Sequence, residues 1–200
     1  MGESLRSRSF EEVKRAFRLG LAGACVVAAA SCGGDGATGV DEDDIQRAQS
    51  ALEPFKLELQ TALREGLREG GPEGAIEVCQ GKAPQIAAAL STDRVKMGRT
   101  SHRLRNPKNV APRWVEPLLV EFLEKADDRT FRARRLPDGS VGYVEPIYVQ
   151  PMCLGCHGKE ISPALAEKLD AVYPHDNGRG FDTGDFRGVF WVRLSPPKEK

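Results

Sequence analysis

Phe131-Arg-Ala-Arg-Arg-Leu136, Pro137-Asp-Gly-Ser140 and Val141-Gly-Tyr-Val-Glu-Pro-Ile-Tyr-Val149 form the stretch whose reading decides the fold. The outer segments read as two strands and the middle one as their turn. Asp-Gly between strand-like runs is a strong hairpin signal, because glycine accepts the backbone conformation that a tight reversal needs. Gly188 to Leu194, rich in Val, Phe and Trp, reads as a last strand, and Arg94 to Thr100 as a short earlier one.

Helical patterns dominate upstream. Asp41 to Arg68 begins with four acids that complement the helix dipole. Ile45, Ala48, Leu52, Leu59, Leu63 and Leu67 then recur at three- and four-residue spacings. Pro54 is expected to kink or break this helix. Gly70-Gly71-Pro72 ends it and starts a second one, Pro72 to Gln80, extended by Pro84 to Leu90. Ala75, Ile76, Cys79 and Ala83 share one face of that second helix. Pro112 to Lys125 and Ile161 to Val172 read as further helices. Helices in front and hairpin-linked strands behind imply an α+β domain with an antiparallel sheet.

The chain has 200 residues, with 29 Lys+Arg against 29 Asp+Glu and no net charge. A balanced chain offers no positive surplus to phosphates, so a nucleic-acid partner is not expected. A hydrophobic share of 40% and a charged share of 29% fit a soluble core. No apolar run reaches the length of a spanning helix. The cysteines, Cys25, Cys32, Cys79, Cys153 and Cys156, number five, and an odd set cannot pair completely.

Two of them fall in an export signal. Arg6, Arg8, Lys14, Arg15 and Arg18 outnumber Glu3, Glu11 and Glu12, and Leu19 to Ser31 then runs without a charge. A basic start followed by a short apolar run is a signal peptide, too short to span a bilayer. Ala29-Ala30-Ser31-Cys32 resembles the lipobox of bacterial lipoproteins, which assigns Cys32 to lipidation. Residues 1–31 are then the signal peptide, 32–43 a Gly/Asp-rich flexible tether, 44–195 the folded domain and 196–200 a tail. The expected location is the periplasmic face of a bacterial membrane, with the lipid anchor as the membrane contact. Gly33 stands where some lipoproteins carry the Asp that retains them at the inner membrane, which favours the outer one.

Cys153-Leu-Gly-Cys156-His157 is the attachment signature of c-type haem. The two thiols add across the haem vinyl groups, and the adjacent His is held over the iron. That attachment occurs outside the bacterial inner membrane, in agreement with the export signal. A zinc site would need a second Cys-x-x-Cys or a His pair, and a thioredoxin-type pair would open a helix in a βαβ unit. Neither context is present. For the second axial position the residues alone leave Cys79, Met97 and His102 open. His175 lies in a turn, and Met152 is too close to the attachment site.

Six motifs occur in order: Ala75-Ile-Glu-Val-Cys79-Gln-x-x-Ala-Pro84-x-Ile86, Gly98-Arg-Thr-Ser101, Arg105-Asn-Pro-x-Asn109, Cys153-Leu-Gly-Cys-His-Gly158, Tyr173-Pro-x-Asp176 and Gly184-Asp-Phe-Arg-Gly188. Together they resemble the bacterial family of exported c-type haem domains once known only as a domain of unknown function. The resemblance implies a PAS-like α+β fold enclosing one covalently attached haem c. It also implies an unusual His/Cys axial pair, which assigns His157 and Cys79 to the iron and Cys153 and Cys156 to the thioether bonds. Arg99 and Arg105 are assigned to the haem surroundings, where they would pair with the propionates, since guanidinium matches carboxylate geometry.

A thiolate ligand stabilises ferric over ferrous iron, so a low reduction potential is expected. With both axial positions filled and no distal acid–base pair visible, an electron carrier is favoured over a turnover enzyme, and no catalytic residue is assigned. The alternative is a haem-based redox or gas sensor. Either role requires a redox or signalling partner protein.

Overall fold

A computed structural model describes residues 39–125 and 128–196. The expected signal peptide, Cys25, Cys32 and the tether before residue 39 lie outside the described residues. Helix α1 (Glu42–Glu77) is capped by Asp41, whose carboxylate accepts a hydrogen bond from the Asp44 amide at 2.8 Å. Residues 42 and 43, counted above with the tether, therefore belong to the helix. Its buried stripe is Ala48, Leu52, Phe55, Leu59, Ala62 and Gly66. Leu63 and Leu67, expected in the core, are only half-buried beside it.

Pro54 does not break α1: the only non-helical backbone inside it is at Gly70 and Gly71. Pro54 and Ser50, whose carbonyl loses its donor, are both exposed. Water can satisfy that carbonyl there. The Gly70-Gly71 break is as expected. Gly71 has φ of 59°, a left-handed conformation that side chains disfavour. Past Glu77 the chain widens into a π-helical turn, Val78–Lys82, before α2 (Ala83–Leu90).

The sheet consists of β1 (Val95–Thr100), β2 (Arg132–Arg135), β3 (Val141–Tyr148) and β4 (Phe186–Leu194) in the order β1-β4-β3-β2, all antiparallel. The β2–β3 hairpin turns at Leu136–Ser140 as predicted, with the Leu136 amide donating to the Ser140 carbonyl at 2.8 Å. Strand β4 starts two residues earlier than expected. Its Gly188 has φ of 150°, and a Cβ there would sit 2.1 Å from the Thr100 carbonyl oxygen. Only glycine lets β4 pass the end of β1 so closely.

One sheet face packs Met97, Tyr143, Val192 and Leu194 against Leu52, Phe55 and Leu59 of α1. The other packs Val144, Val189 and Phe186 against Leu118, Leu119 and Phe122 of α3 (Glu116–Glu124). A third cluster joins Ile76 of α1 to Leu165, Leu169 and Tyr173 in and just after α5 (Pro163–Val172). The chain is thus α+β, with N-terminal helices and a four-stranded antiparallel sheet. The site lies beside the third cluster.

Candidate haem-attachment site

Cys153, Cys156 and His157 sit where a 3-10 turn (Pro151–Cys153) runs into the one-turn helix α4 (Leu154–His157). Helical spacing puts the side chains of residues i, i+3 and i+4 on one side of such a turn. The Gly158 amide closes it by donating to the Leu154 carbonyl at 2.8 Å. The turn is also pinned from outside. The Phe181 amide donates to the His157 carbonyl at 3.0 Å, and the Gly180 amide to the Gly158 carbonyl at 2.9 Å. Cys153, Cys156 and Cys79 are all free thiols.

His157 is oriented by a backbone group. Its Nδ1 lies 2.6 Å from the Gly178 carbonyl oxygen. A carbonyl only accepts, so Nδ1 carries the proton and Nε2 keeps its lone pair. Burial, then the Arg187 and Arg105 charges, push the imidazole down to about 3, against a smaller opposing effect of the Gly178 hydrogen bond. The ring is therefore neutral at physiological pH and presents Nε2 as a donor atom.

A buried carboxylate holds Gly178. Asp176, with its side chain 2% exposed, accepts from the Gly178 amide at 2.7 Å, from Arg179 Nε at 2.7 Å and from Arg105 Nε at 3.1 Å. Burial alone would raise this carboxyl, but the hydrogen bonds from Arg179, Arg105 and Gly178 together hold it below its ordinary value. Arg105 Nη2 also donates to the carbonyls of Cys156 and Gly178. One guanidinium thus ties Asp176, the attachment turn and the carbonyl that orients His157.

Arg187, not singled out in the sequence, completes the surroundings. Its Nη1 donates to Ser101 Oγ at 2.6 Å and to the Arg103 carbonyl at 3.1 Å. Its buried Nε has no hydrogen-bond partner among the described residues. Burial and the charges of Arg105 and Arg99 push this guanidinium down to about 10. The charges of Arg187, Arg105 and Arg99 thus all act on His157, with Asp176 as the buried counter-charge to Arg105.

Cys79 lies half-buried on the π-helical turn. It is near enough for its charge to raise the Cys156 thiol and the Tyr173 hydroxyl, although burial is the larger cause for both. The other two candidates are placed differently. Met97 is packed into the core beneath α1. His102 stacks on Phe186 at 5.6 Å and meets Phe181 edge-on at 6.1 Å. Arg99 lines a cleft together with Ala83, Ala87, Met97, Trp191 and Lys108.

The donor set suits a covalently held haem. Two free thiols stand one helical turn apart beside a neutral His with a free Nε2. A third thiol is close by, and the charges of three half-buried arginines, Arg99, Arg105 and Arg187, act on that His.

The sequence model of the family described as Tll0287-like (Tll0287) matches residues 37–195, most of the chain. Among solved structures the chain is similar to the crystal structure of the cyanobacterial heme-protein Tll0287. Identity is 23%, the match covers 80% of this chain and 99% of that one, and the TM-score is 0.57. At that identity the likeness concerns the fold. No curated protein matches the chain.

Proposed function

The chain belongs to the Tll0287-like family, as its ordered motifs implied, and from that premise we propose a membrane-tethered c-type haem protein for electron transfer. One haem c is held by thioether bonds from Cys153 and Cys156, with His157 and Cys79 as axial ligands. The protein is exported and anchored through lipid on Cys32 at the periplasmic face, the outer membrane being favoured. The observation that carries this reading is the 2.6 Å contact of His157 Nδ1 with the Gly178 carbonyl, which leaves Nε2 free beside two unpaired cysteines.

When bound, the haem supplies one-electron exchange between ferric and ferrous iron. The chain's residues set where that exchange is poised. A Cys79 thiolate favours the ferric state and draws the potential down, while Arg99, Arg105 and Arg187 oppose it with nearby positive charge. Asp176 and Gly178 keep the His157 ring from turning. The cleft beside Arg99 offers apolar walls in Ala83, Ala87 and Trp191, and two cations, Arg99 and Lys108, suited to carboxylates.

A ferric absorption and electron-spin spectrum of the purified protein, with a pyridine haemochrome assay, tests this reading. Covalent haem with a low-spin thiolate signature is expected. Haem extractable by acidified acetone would sink the attachment, and an imidazole-only spectrum would sink the axial pair.

A second reading, a redox or gas sensor acting through a partner protein, is favoured by the contrast between the two ligands. His157 is clamped, whereas Cys79 sits on a five-residue π-helical turn, a feature often found at functional sites. Immediate carbon monoxide binding by the reduced protein supports sensing, and an unreactive six-coordinate iron supports electron transfer.

A further inference from the structure

The part of α1 after the Gly70-Gly71 break folds back against the part before it, and two glycines meet at the crossing. A Cβ added to Gly66 would lie 2.7 Å from Val78 Cγ2 and 3.2 Å from the Gly74 carbonyl oxygen. One added to Gly74 would lie 2.7 Å from the Gly66 carbonyl oxygen. Backbone atoms cannot yield by changing rotamer, so the second contact admits no side chain without moving the limb. The other glycines nearby are under no such demand. A Cβ on Gly70, or on Gly81 within the π-helical turn, would meet nothing within 4 Å.

The opposite side of the same limb is also held. Ile76 packs with Leu165, Leu169 and Tyr173, and Cys156 is partly buried against that cluster. Gly74 and Val78 are four residues apart and share a face, whereas Ile76 points the other way. The limb is therefore gripped between the first part of α1 and the haem-attachment side. Cys79 follows directly after Val78, itself 7% exposed.

The geometry points to Gly66 and Gly74 as positioning residues for the axial thiolate: their close crossing sets how deeply Val78, and with it Cys79, is seated toward the Cys153–His157 turn. This rests on the reading of Cys79 as the second iron ligand. A side chain at the crossing pushes the limb away from the first part of α1 and shifts Cys79 off its position. The crossing is on the side of the limb away from Ile76, whose cluster Cys156 leans on, so the thioether bonds and His157 are left in place.

The test uses the haem-loaded protein with Gly66→Ala and Gly74→Ala, and with Gly70→Ala and Gly81→Ala as controls. Three readouts are taken: the ferric thiolate electron-spin signal, covalent haem content and the affinity for added imidazole. Gly66→Ala and Gly74→Ala are expected to lose at least half of the thiolate signal at full haem content and to bind imidazole at least tenfold more tightly. Adding Val78→Ala restores Gly66→Ala, whose closest contact is a side-chain methyl, but not Gly74→Ala, whose contact is backbone. The controls behave as wild type. The inference is overturned if both crossing variants keep the wild-type signal and imidazole affinity, or if the controls change as much as they do. Should neither crossing variant accumulate, Val78→Ala alone decides: a change in imidazole affinity of threefold or more supports the inference, and no change overturns it. A wild-type protein without any thiolate signal defeats the ligand reading itself, a result distinct from either.

Discussion

His157 Nδ1 and the carbonyl oxygen of Gly178 lie 2.6 Å apart, and the amide of that same Gly178 donates to Asp176 at 2.7 Å. The orientation of the imidazole is thereby linked to a carboxylate two residues before the carbonyl that holds it. Asp176 also neutralises Arg105, whose side chain is 10% exposed. Removing one member of a buried, hydrogen-bonded ion pair leaves the other charge without compensation, at a cost of about 3–5 kcal/mol. Asp176→Ala should therefore lower the free energy of unfolding by about that amount in urea denaturation. Asp176→Asn, which keeps an acceptor for the Gly178 amide, should fall between Asp176→Ala and wild type. A loss below about 1 kcal/mol for the alanine variant, typical of an exposed pair, would show that the carboxylate is not structural.

The depressed His157 imidazole makes a pH prediction for protein that cannot attach haem, such as the Cys153→Ala/Cys156→Ala variant. In the unfolded chain the ring takes up a proton as pH falls through 6.5, whereas in the fold it stays neutral until about 3. Unfolding therefore takes up a proton between these two values, and stability falls as the solution is acidified through that window. The slope contributed by this group is at most about 1.4 kcal/mol per pH unit and vanishes above and below the window. Introducing His157→Gln should remove this part of the pH dependence. Equal slopes with and without the imidazole would place His157 in a more solvated setting.

Leu169 is fully buried and ties α5 to Ile76, three residues before Cys79. Leu169→Ala should destabilise the domain by about 2–5 kcal/mol through lost burial and the cavity left behind. It removes packing from the cluster that both Ile76 and Cys156 lean on, but a covalent link cannot be lost by loosened packing, so thiolate ligation should weaken before covalent haem content falls. A thermal melt monitored at the ferric Soret band and by far-ultraviolet dichroism checks both parts. Coincident transitions would show that ligation is lost only on global unfolding.

The sheet was legible because a hairpin combines Asp-Gly at its turn with strand-forming residues on either side, and both signals are local. The first helix was legible in extent but not in its buried stripe. Ala62 and Gly66 are buried where Leu63 and Leu67 were expected, and at Gly66 a close helix crossing selects a small residue that a hydrophobic pattern passes over. Cys153, Cys156 and His157 stand out in the sequence because the Cys-x-x-Cys-His spacing is itself a local signature. The groups that orient and charge the site could not. A backbone carbonyl such as that of Gly178 leaves no trace in a sequence, and a half-buried arginine such as Arg187 runs against the usual preference of that residue for the surface. Asp176 and Arg187 do lie within motifs that carried the family resemblance, but nothing local assigns either its role. Arg105 was expected beside the haem, and a sequence could not show that its Nε and Nη2 donors reach Asp176 and the carbonyls of Cys156 and Gly178.

The charges around His157 lead to two opposite shifts in reduction potential. Arg187 is half-buried, the charges of Arg105 and Arg99 act on it, and its own charge acts on His157. A nearby positive charge favours the reduced, less positive iron, so Arg187→Gln should lower the midpoint potential of the haem. An anionic sulfur ligand acts in the other direction by stabilising ferric iron, so Cys79→Ala should raise the potential and remove the thiolate features of the ferric spectrum. Spectroelectrochemical titration of the two variants and the double variant measures both effects. If the two sites act independently through electrostatics, the shift of the double variant should equal the sum of the single shifts. An unchanged ferric spectrum in Cys79→Ala would remove Cys79 from the iron. A rise in potential in Arg187→Gln would mean that its main effect is on the packing of the Ser101–Arg103 loop it binds, rather than on the charge at the haem.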